Sequence, residues 1–263
     1  MITGGVLAKA FEPPTTKDFV WDPWFGPVKI LGIEFSFTFI HLLLLIAFLT
    51  TVLFFVAAFR RPKVVPGKFQ SLAEMGVEFV REQILLQMIG PEGMAFLPFL
   101  ATLFFFIFFG NILEVVPGVN FPLNSRIAFP AVMAVISWTI YWAVGFRKHG
   151  VVGYLKMVAF PPGAPAPMYI LLAPIELLQV VVIRPLTLSV RLFANMVAGH
   201  FLLAVFFLGS IVLFSGPPYV LGTVSFAMGV VLVGFEIFVS GLQAFIFTVL
   251  TASYIGAALA EEH

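Results

Sequence analysis

Cysteine is missing altogether from this 263-residue chain, which excludes disulfides, a thiolate nucleophile and any Cys-ligated zinc or iron–sulfur centre. Charge is scarce as well: 14 Lys+Arg and 13 Asp+Glu make up 10% of the residues, against roughly 25% in ordinary soluble domains. A net charge of +1 supplies neither a basic field to capture nucleic acid nor an acidic tail. There is no phosphate-cradling glycine loop, no His-Glu-x-x-His zinc pair and no nucleophile elbow, so soluble-style catalysis, a cofactor and a bound metal are not expected. The first 34 residues hold Lys9, Lys17 and Lys29 among acids and prolines. Without a sustained apolar core they read as neither a cleaved signal peptide nor a transit-like segment. What the chain has in quantity is apolar surface, with 61% hydrophobic residues, 33 of them Phe. That composition belongs to a membrane protein.

A helix needs about 20 apolar residues to cross a bilayer. Runs of this kind cover residues 35–59, 94–116, 127–146, 169–214 and 219–260, and each of the last two is about twice a normal span. Two topologies fit those long runs. Either each is one crossing drawn out by a strong tilt, or each folds back on an apolar turn, which would leave backbone groups without partners. Pro185 marks where a kink or turn would fall. Arg60, Arg61, Lys63 and Lys68 follow the first run, and Arg147, Lys148 and Lys156 the third, whereas 117–126 holds only Arg126. The basic loops therefore face the cytoplasm. This puts the N-terminus outside, with residues 1–34 as an extracytoplasmic segment anchored at the interface by Trp21, Trp24 and Phe25. Residues 35–263 form one membrane domain, and the tilted topology leaves the C-terminus inside. Glu74, Glu78 and Glu82 share one helix face among Leu72, Met75, Val77, Phe79 and Ile84. Residues 69–89 thus predict an amphipathic helix on the cytoplasmic surface, with a soluble cytoplasmic helix as the alternative.

Six ionisable residues lie inside the apolar runs: Glu114, Glu176, Arg184, Arg191, His200 and Glu236. Polar Asn111, Gln179, Asn195 and Gln243 accompany them. A charge at membrane depth costs about 2.5–3.5 kcal/mol on insertion scales, so this concentration calls for pairing, water or a function. Seven residues separate Arg184 from Arg191, a rotation of about 700° that brings both to one face, with Asn195 nearby. His200 is turned about 900° from Arg191 and stands on the opposite side, about 13 Å further along. Glu236 and Gln243 share a face in the last run, with Ser240 between them. Ser240, Ala244, Thr248, Ala252, Gly256 and Ala260 make a stripe of small residues that admits a close neighbour, from this chain or from another.

Plainer readings stand beside the functional ones. Arg184 and Arg191 snorkel if the run folds back near Pro185, and a lone apolar-helix histidine such as His200 is commonly a satisfied neutral imidazole. Glu114, near the outer end of its span, reads as interfacial, and Asn111 as satisfying backbone or water. Taken together, the residues point to ion or proton movement through a helical bundle. His200 and Glu236 are then titratable relay groups and Arg191 a permanent cation.

Segment 185–200, PLTLSVRLFANMVAGH, resembles subunit a of the F-type ATP synthases. Further likeness lies in RRPKVVPGKFQSLAE, GNILEVVPG, ELLQVVVIRP and FEIFVSGLQAFIFTVLTASYIGAALAEEH, while the first 30 residues match little. The resemblance implies an all-α integral membrane fold of five transmembrane helices plus one surface helix, the last two helices long and steeply inclined. It implies a non-catalytic, proton-translocating stator of the Fo sector. Two offset half-channels would lead to and from the c-ring carboxylates and couple proton flow to rotation and ATP synthesis. Carried over, the family's indispensable arginine is Arg191, its companion basic residue Arg184, and its channel amides Asn195 and Gln243. Its interacting histidine and acid are His200 and Glu236. Implied partners are the c-ring, the peripheral-stalk b subunits and, indirectly, the F1 sector, and the expected location is a bacterial plasma membrane.

One position departs from the family pattern. Its glutamate stands seven residues before the Arg184 position, whereas Glu176 stands eight before it and Leu177 takes the expected place. A π-type bulge would realign Glu176; otherwise the inner half-channel is lined differently. Two other classes compete. A secondary ion-coupled transporter with a midplane site would usually show an internal repeat, and none is visible. A structural scaffold would have no use for six intramembrane ionisable groups.

Overall fold

The computed structural model describes residues 28–30, 33–35, 38–116, 123–160, 166–214 and 219–260. The expected aromatic anchor at Trp21, Trp24 and Phe25 lies outside the described residues. A short antiparallel ribbon pairs β1 (Val28–Ile30) with β2 (Ile33–Phe35), Val28 opposite Phe35. Six helices follow: α1 (Phe39–Phe59), α2 (Lys68–Val80, continued by a π turn Arg81–Leu85 and by Leu86–Met88), α3 (Pro91–Ile112), α4 (Ala128–Ala159), α5 (Tyr169–Phe214) and α6 (Tyr219–Leu259). All but α2 are long and apolar enough to cross a membrane. This is an all-α integral membrane protein, as the apolar runs predict.

The two long runs do not fold back. Over 46 and 41 residues α5 and α6 stay helical, about 69 and 62 Å of helix against a hydrocarbon layer about 30 Å thick. Helices of that length enter a bilayer inclined or protruding. Pro185 is accommodated by a π turn, Gln179–Ile183, with Arg184 between the turn and the proline.

Several boundaries differ from the sequence expectation. The first span starts at Phe39 rather than 35, because Phe35 pairs in the ribbon and extended Thr38 caps the helix, its Oγ1 2.9 Å from His41 Nδ1. The second runs over Pro91–Ile112 rather than 94–116. The third continues past 146, where a basic loop was expected, to Ala159, but Gly150 breaks it with φ 71°, a conformation closed to most side chains. Past this break, Tyr154 turns back onto Gly145, where a Cβ would collide with its ring, and onto Trp142 at 5.4 Å.

The bundle core joins Leu103 and Ile107 of α3, Met133 and Ala134 of α4, Leu188 and Leu192 of α5, and Ala244 and Phe247 of α6. The small-residue stripe of α6 serves packing inside the chain: Ser240, Ala244, Thr248 and Ala252 are buried, and Gly256 meets the backbone carbonyl of Met88. Helix α2 lies across this end of the bundle. Its Val80, Ile84 and Leu85 pack with Leu100, Ala101 and Ala252, so it is amphipathic with one face sealed on the bundle and Phe69, Leu72 and Met75 exposed. The Lys148 ammonium donates to the carbonyl of Leu259. The basic segments after α1 and within α4 therefore share one end of the molecule with α2 and the C-terminus of α6.

Candidate functional site

Helices α5 and α6 are in extended contact, and where they cross, a missing side chain makes room for a charged one. Gly199 of α5 is buried, and a Cβ placed there would lie 2.5 Å from Glu236 Oε1. The α6 carboxyl thus occupies the notch that glycine leaves, one residue before His200. Glu236 is 3% exposed. The imidazole Nδ1 of His200 stands 3.8 Å from Glu114 Oε1, whose side chain is fully buried. The resemblance pairs His200 with Glu236; the structure draws Glu114 into the same neighbourhood.

Glu114 is thus not the interfacial acid expected from its place near the end of the second run. The chain beyond α3 tucks inward, Leu123 and Asn124 being almost fully buried. Asn124 Nδ2 donates to Asn111 Oδ1 at 2.6 Å, so Asn111 holds a side-chain partner, while its own Nδ2 has none among the described residues. The burial of Glu114 and the Asn111–Asn124 pair are not legible in the sequence. Their one signal was the three-residue spacing of Asn111 and Glu114, which puts an amide and an acid on one helix face; the inward turn of 123–125 left none.

Among the described residues, several buried polar atoms of α3, α5 and α6 and the turn after α3 have no hydrogen-bond partner, among them Glu114 Oε1 and Oε2, Glu236 Oε2, Asn195 Nδ2 and Ser240 Oγ. An unpaired buried polar group costs about 1–3 kcal/mol, and such atoms are satisfied by water where the site has room for it. Asn195 and Gln243 are half-buried on the two facing helices.

Arg191 sits apart from them, at the midpoint of α5. Its side is exposed, in a stripe with Thr187, Ala194 and Ala198, and among the described residues no carboxylate pairs with it. Leu188 and Leu192 turn the other way, into the core. This exposure and the burial of His200's neighbourhood follow from the half-integral number of turns between positions 191 and 200.

Toward the basic end the second cationic site is differently built. The Arg184 guanidinium carbon lies 4.9 Å over the ring of Tyr254, a cation–π contact that shelters charge without an acid. The π turn Gln179–Ile183 falls between Glu176 and Arg184. A π turn takes up one residue more than an α turn, so these eight residues span the rotation of about seven, two turns of helix. Glu176, half-buried, thereby comes to the Arg184 side despite its offset in sequence.

The arrangement is a permanent cation on an open face between two polar groups of residues, one acidic and imidazole-bearing, the other basic and aromatic. Comparison with known proteins finds similar chains elsewhere. Residues 39–256 match the family described as ATP synthase A chain. A protein named ATP synthase subunit a from Frankia alni is 41% identical over 261 residues, covering 98% of this chain and 90% of that one. The protein of that name from Streptomyces lividans is 40% identical, covering 96% and 89%, and that from Rhodospirillum rubrum 40%, covering 88% and 92%. With four spans and nearly all of the fifth inside the matched region and relatives aligned almost end to end, the chain belongs to the ATP synthase A chain family.

Proposed function

We propose that this protein is the proton-translocating stator of the Fo sector of an ATP synthase, non-catalytic itself, and that it offers two offset half-channels to the carboxylates of a c-ring. The observation that carries the reading is the setting of Arg191. It stands midway along α5, about 10 Å from Arg184 on one side and 13 Å from His200 on the other. The small residues beside it leave room for a rotor helix to approach.

A proton entering from the end remote from the basic loops passes through Glu114, His200, Glu236, Asn195 and Gln243 and neutralises a ring carboxylate. Only the neutral carboxyl faces lipid at low cost. After nearly a full rotation that carboxyl reaches the Glu176 and Arg184 side, where the nearby Arg191 favours its ionised form and the proton leaves. Guanidinium holds its proton at physiological pH, so Arg191 attracts the carboxylate without relaying protons between the half-channels. The driving energy is about 2.3 kcal/mol per charge per 100 mV, plus the pH gradient.

Sharing one end, the basic segments, α2 and the C-terminus of α6 agree with an orientation in which that end is cytoplasmic. The ribbon then lies outside, and the membrane is a bacterial plasma membrane. Besides the c-ring, the partners are peripheral-stalk b subunits and, through them, the F1 sector.

In inverted membrane vesicles, Arg191→Ala is expected to abolish ATP-driven acidification while ATP hydrolysis persists. Proton pumping at the unsubstituted rate would reject the reading.

A further inference from the structure

Among the buried groups that this mechanism does not use, Tyr141 of α4 is the most tightly placed. It is 1% exposed, and its hydroxyl donates to the backbone carbonyl of Val180 in α5 at 2.7 Å. A helix carbonyl ordinarily needs no side-chain donor, and the reason this one does lies in the local sequence. In an α pattern Val180 would receive the N–H of Arg184, but that N–H goes to Gln179 instead, as the π turn requires. In a π pattern Val180 would receive the N–H of residue 185, which is proline and has none. The Val180 carbonyl is therefore left out by both patterns, inside the bundle, and the tyrosine supplies the hydrogen.

We propose that Tyr141 is a positioning residue that fixes the π register of α5 and thereby sets Glu176, rather than Leu177, on the Arg184 side of the helix. The same tyrosine supports the other end of the arrangement, its ring meeting Tyr254 edge-on at 5.7 Å while Tyr254 carries Arg184 on its face. One residue on α4 thus ties the backbone offset to the placement of a cation on α5 and an aromatic ring on α6. The functional part of this inference rests on the half-channel reading above; the structural part does not.

The absence of native cysteine makes the register readable by thiol chemistry. In the assembled complex in membranes, Glu176→Cys and Leu177→Cys are each introduced singly, with and without Tyr141→Phe, and the rate of modification by a water-soluble methanethiosulfonate is measured. With Tyr141 present, position 176 is expected to react faster than 177. Leaving the buried carbonyl unpaired is expected to move the ratio of the two rates by about tenfold toward 177. In the chain with its native Glu176, Tyr141→Phe is expected to slow ATP-driven proton pumping severalfold. An unchanged ratio overturns the proposal even if pumping falls. A shifted ratio with normal pumping keeps the register role and counts against Glu176 in the inner half-channel.

Should Tyr141→Phe fail to assemble, the Pro185→Ala background decides, because it restores a backbone N–H that Val180 can accept. Recovery of assembly there supports the pin, and equal failure overturns it.

Discussion

Residue 199 contributes nothing but space, and the acid on the facing helix depends on that space. A single methyl there would meet the Glu236 carboxyl at 2.5 Å, far inside van der Waals contact, between two helices that cannot separate without opening the core. Gly199→Ala is accordingly expected to swing the Glu236 carboxyl out of the notch and so to reduce proton pumping by about an order of magnitude, the effect of roughly 1.4 kcal/mol. Gly209→Ala, whose Cβ would sit an ordinary 3.5 Å from Ser225 Oγ, should be neutral. Because aspartate is one methylene shorter, Gly199→Ala with Glu236→Asp should recover part of the loss in the same vesicle acidification assay, and no recovery would show that the notch does not place the acid. Legibility at this scale was uneven. Arg191, Arg184, His200, Glu236, Asn195 and Gln243 stood out because charge inside an apolar run is rare and helical spacing sorts it by face. The burial of Glu114, like that of Leu123 and Asn124, is a tertiary event that no periodicity encodes.

Elements were read well in number and poorly at their ends. Hydrophobic run length identified five spans, since bilayer thickness imposes a minimum that the sequence must meet. The reversal at Gly150 was invisible because apolar Val151, Val152, Leu155 and Met157 continue a helical pattern on both sides of it, and only backbone torsion distinguishes a break from a continuation. That torsion gives a clean test. Nothing lies within 4 Å of a Cβ at Gly150, yet φ is +71°, so Gly150→Ala carries a backbone penalty alone, about 1–3 kcal/mol. Gly67, equally open but with φ −73°, supplies the control. Limited proteolysis of the detergent-solubilised protein between 147 and 156 should accelerate for Gly150→Ala and not for Gly67→Ala; equal protection in both would mean the break tolerates a side chain. The π turn in α5, by contrast, was foreseeable, because a one-residue offset before a proline has few ways to resolve within a continuous helix.

Over the whole chain, the parts that hold it together and the part that faces outward are chemically opposite. Glycine, alanine and small hydroxyl residues of α6 knit α2, α3 and α5 into one body, and aromatic rings fill the basic end. The group at the centre of α5, the Arg191 guanidinium, receives no neutralising carboxylate from the other described residues. Lipid tails will not solvate it: an arginine at that depth is penalised by about 2.5–3.5 kcal/mol even on the mildest scale. Newly made chain is thus an unhappy guest in the bilayer until a companion bearing an acid arrives, so its lifetime in the cell should be set by that companion's supply. Pulse-chase labelling in cells lacking the ring protein should show rapid clearance of the native chain and slower clearance of Arg191→Leu; identical half-lives would remove the inference. The cation proposed to serve translocation would then also act as a quality-control tag, marking for destruction any copy that has not met the proposed acidic companion.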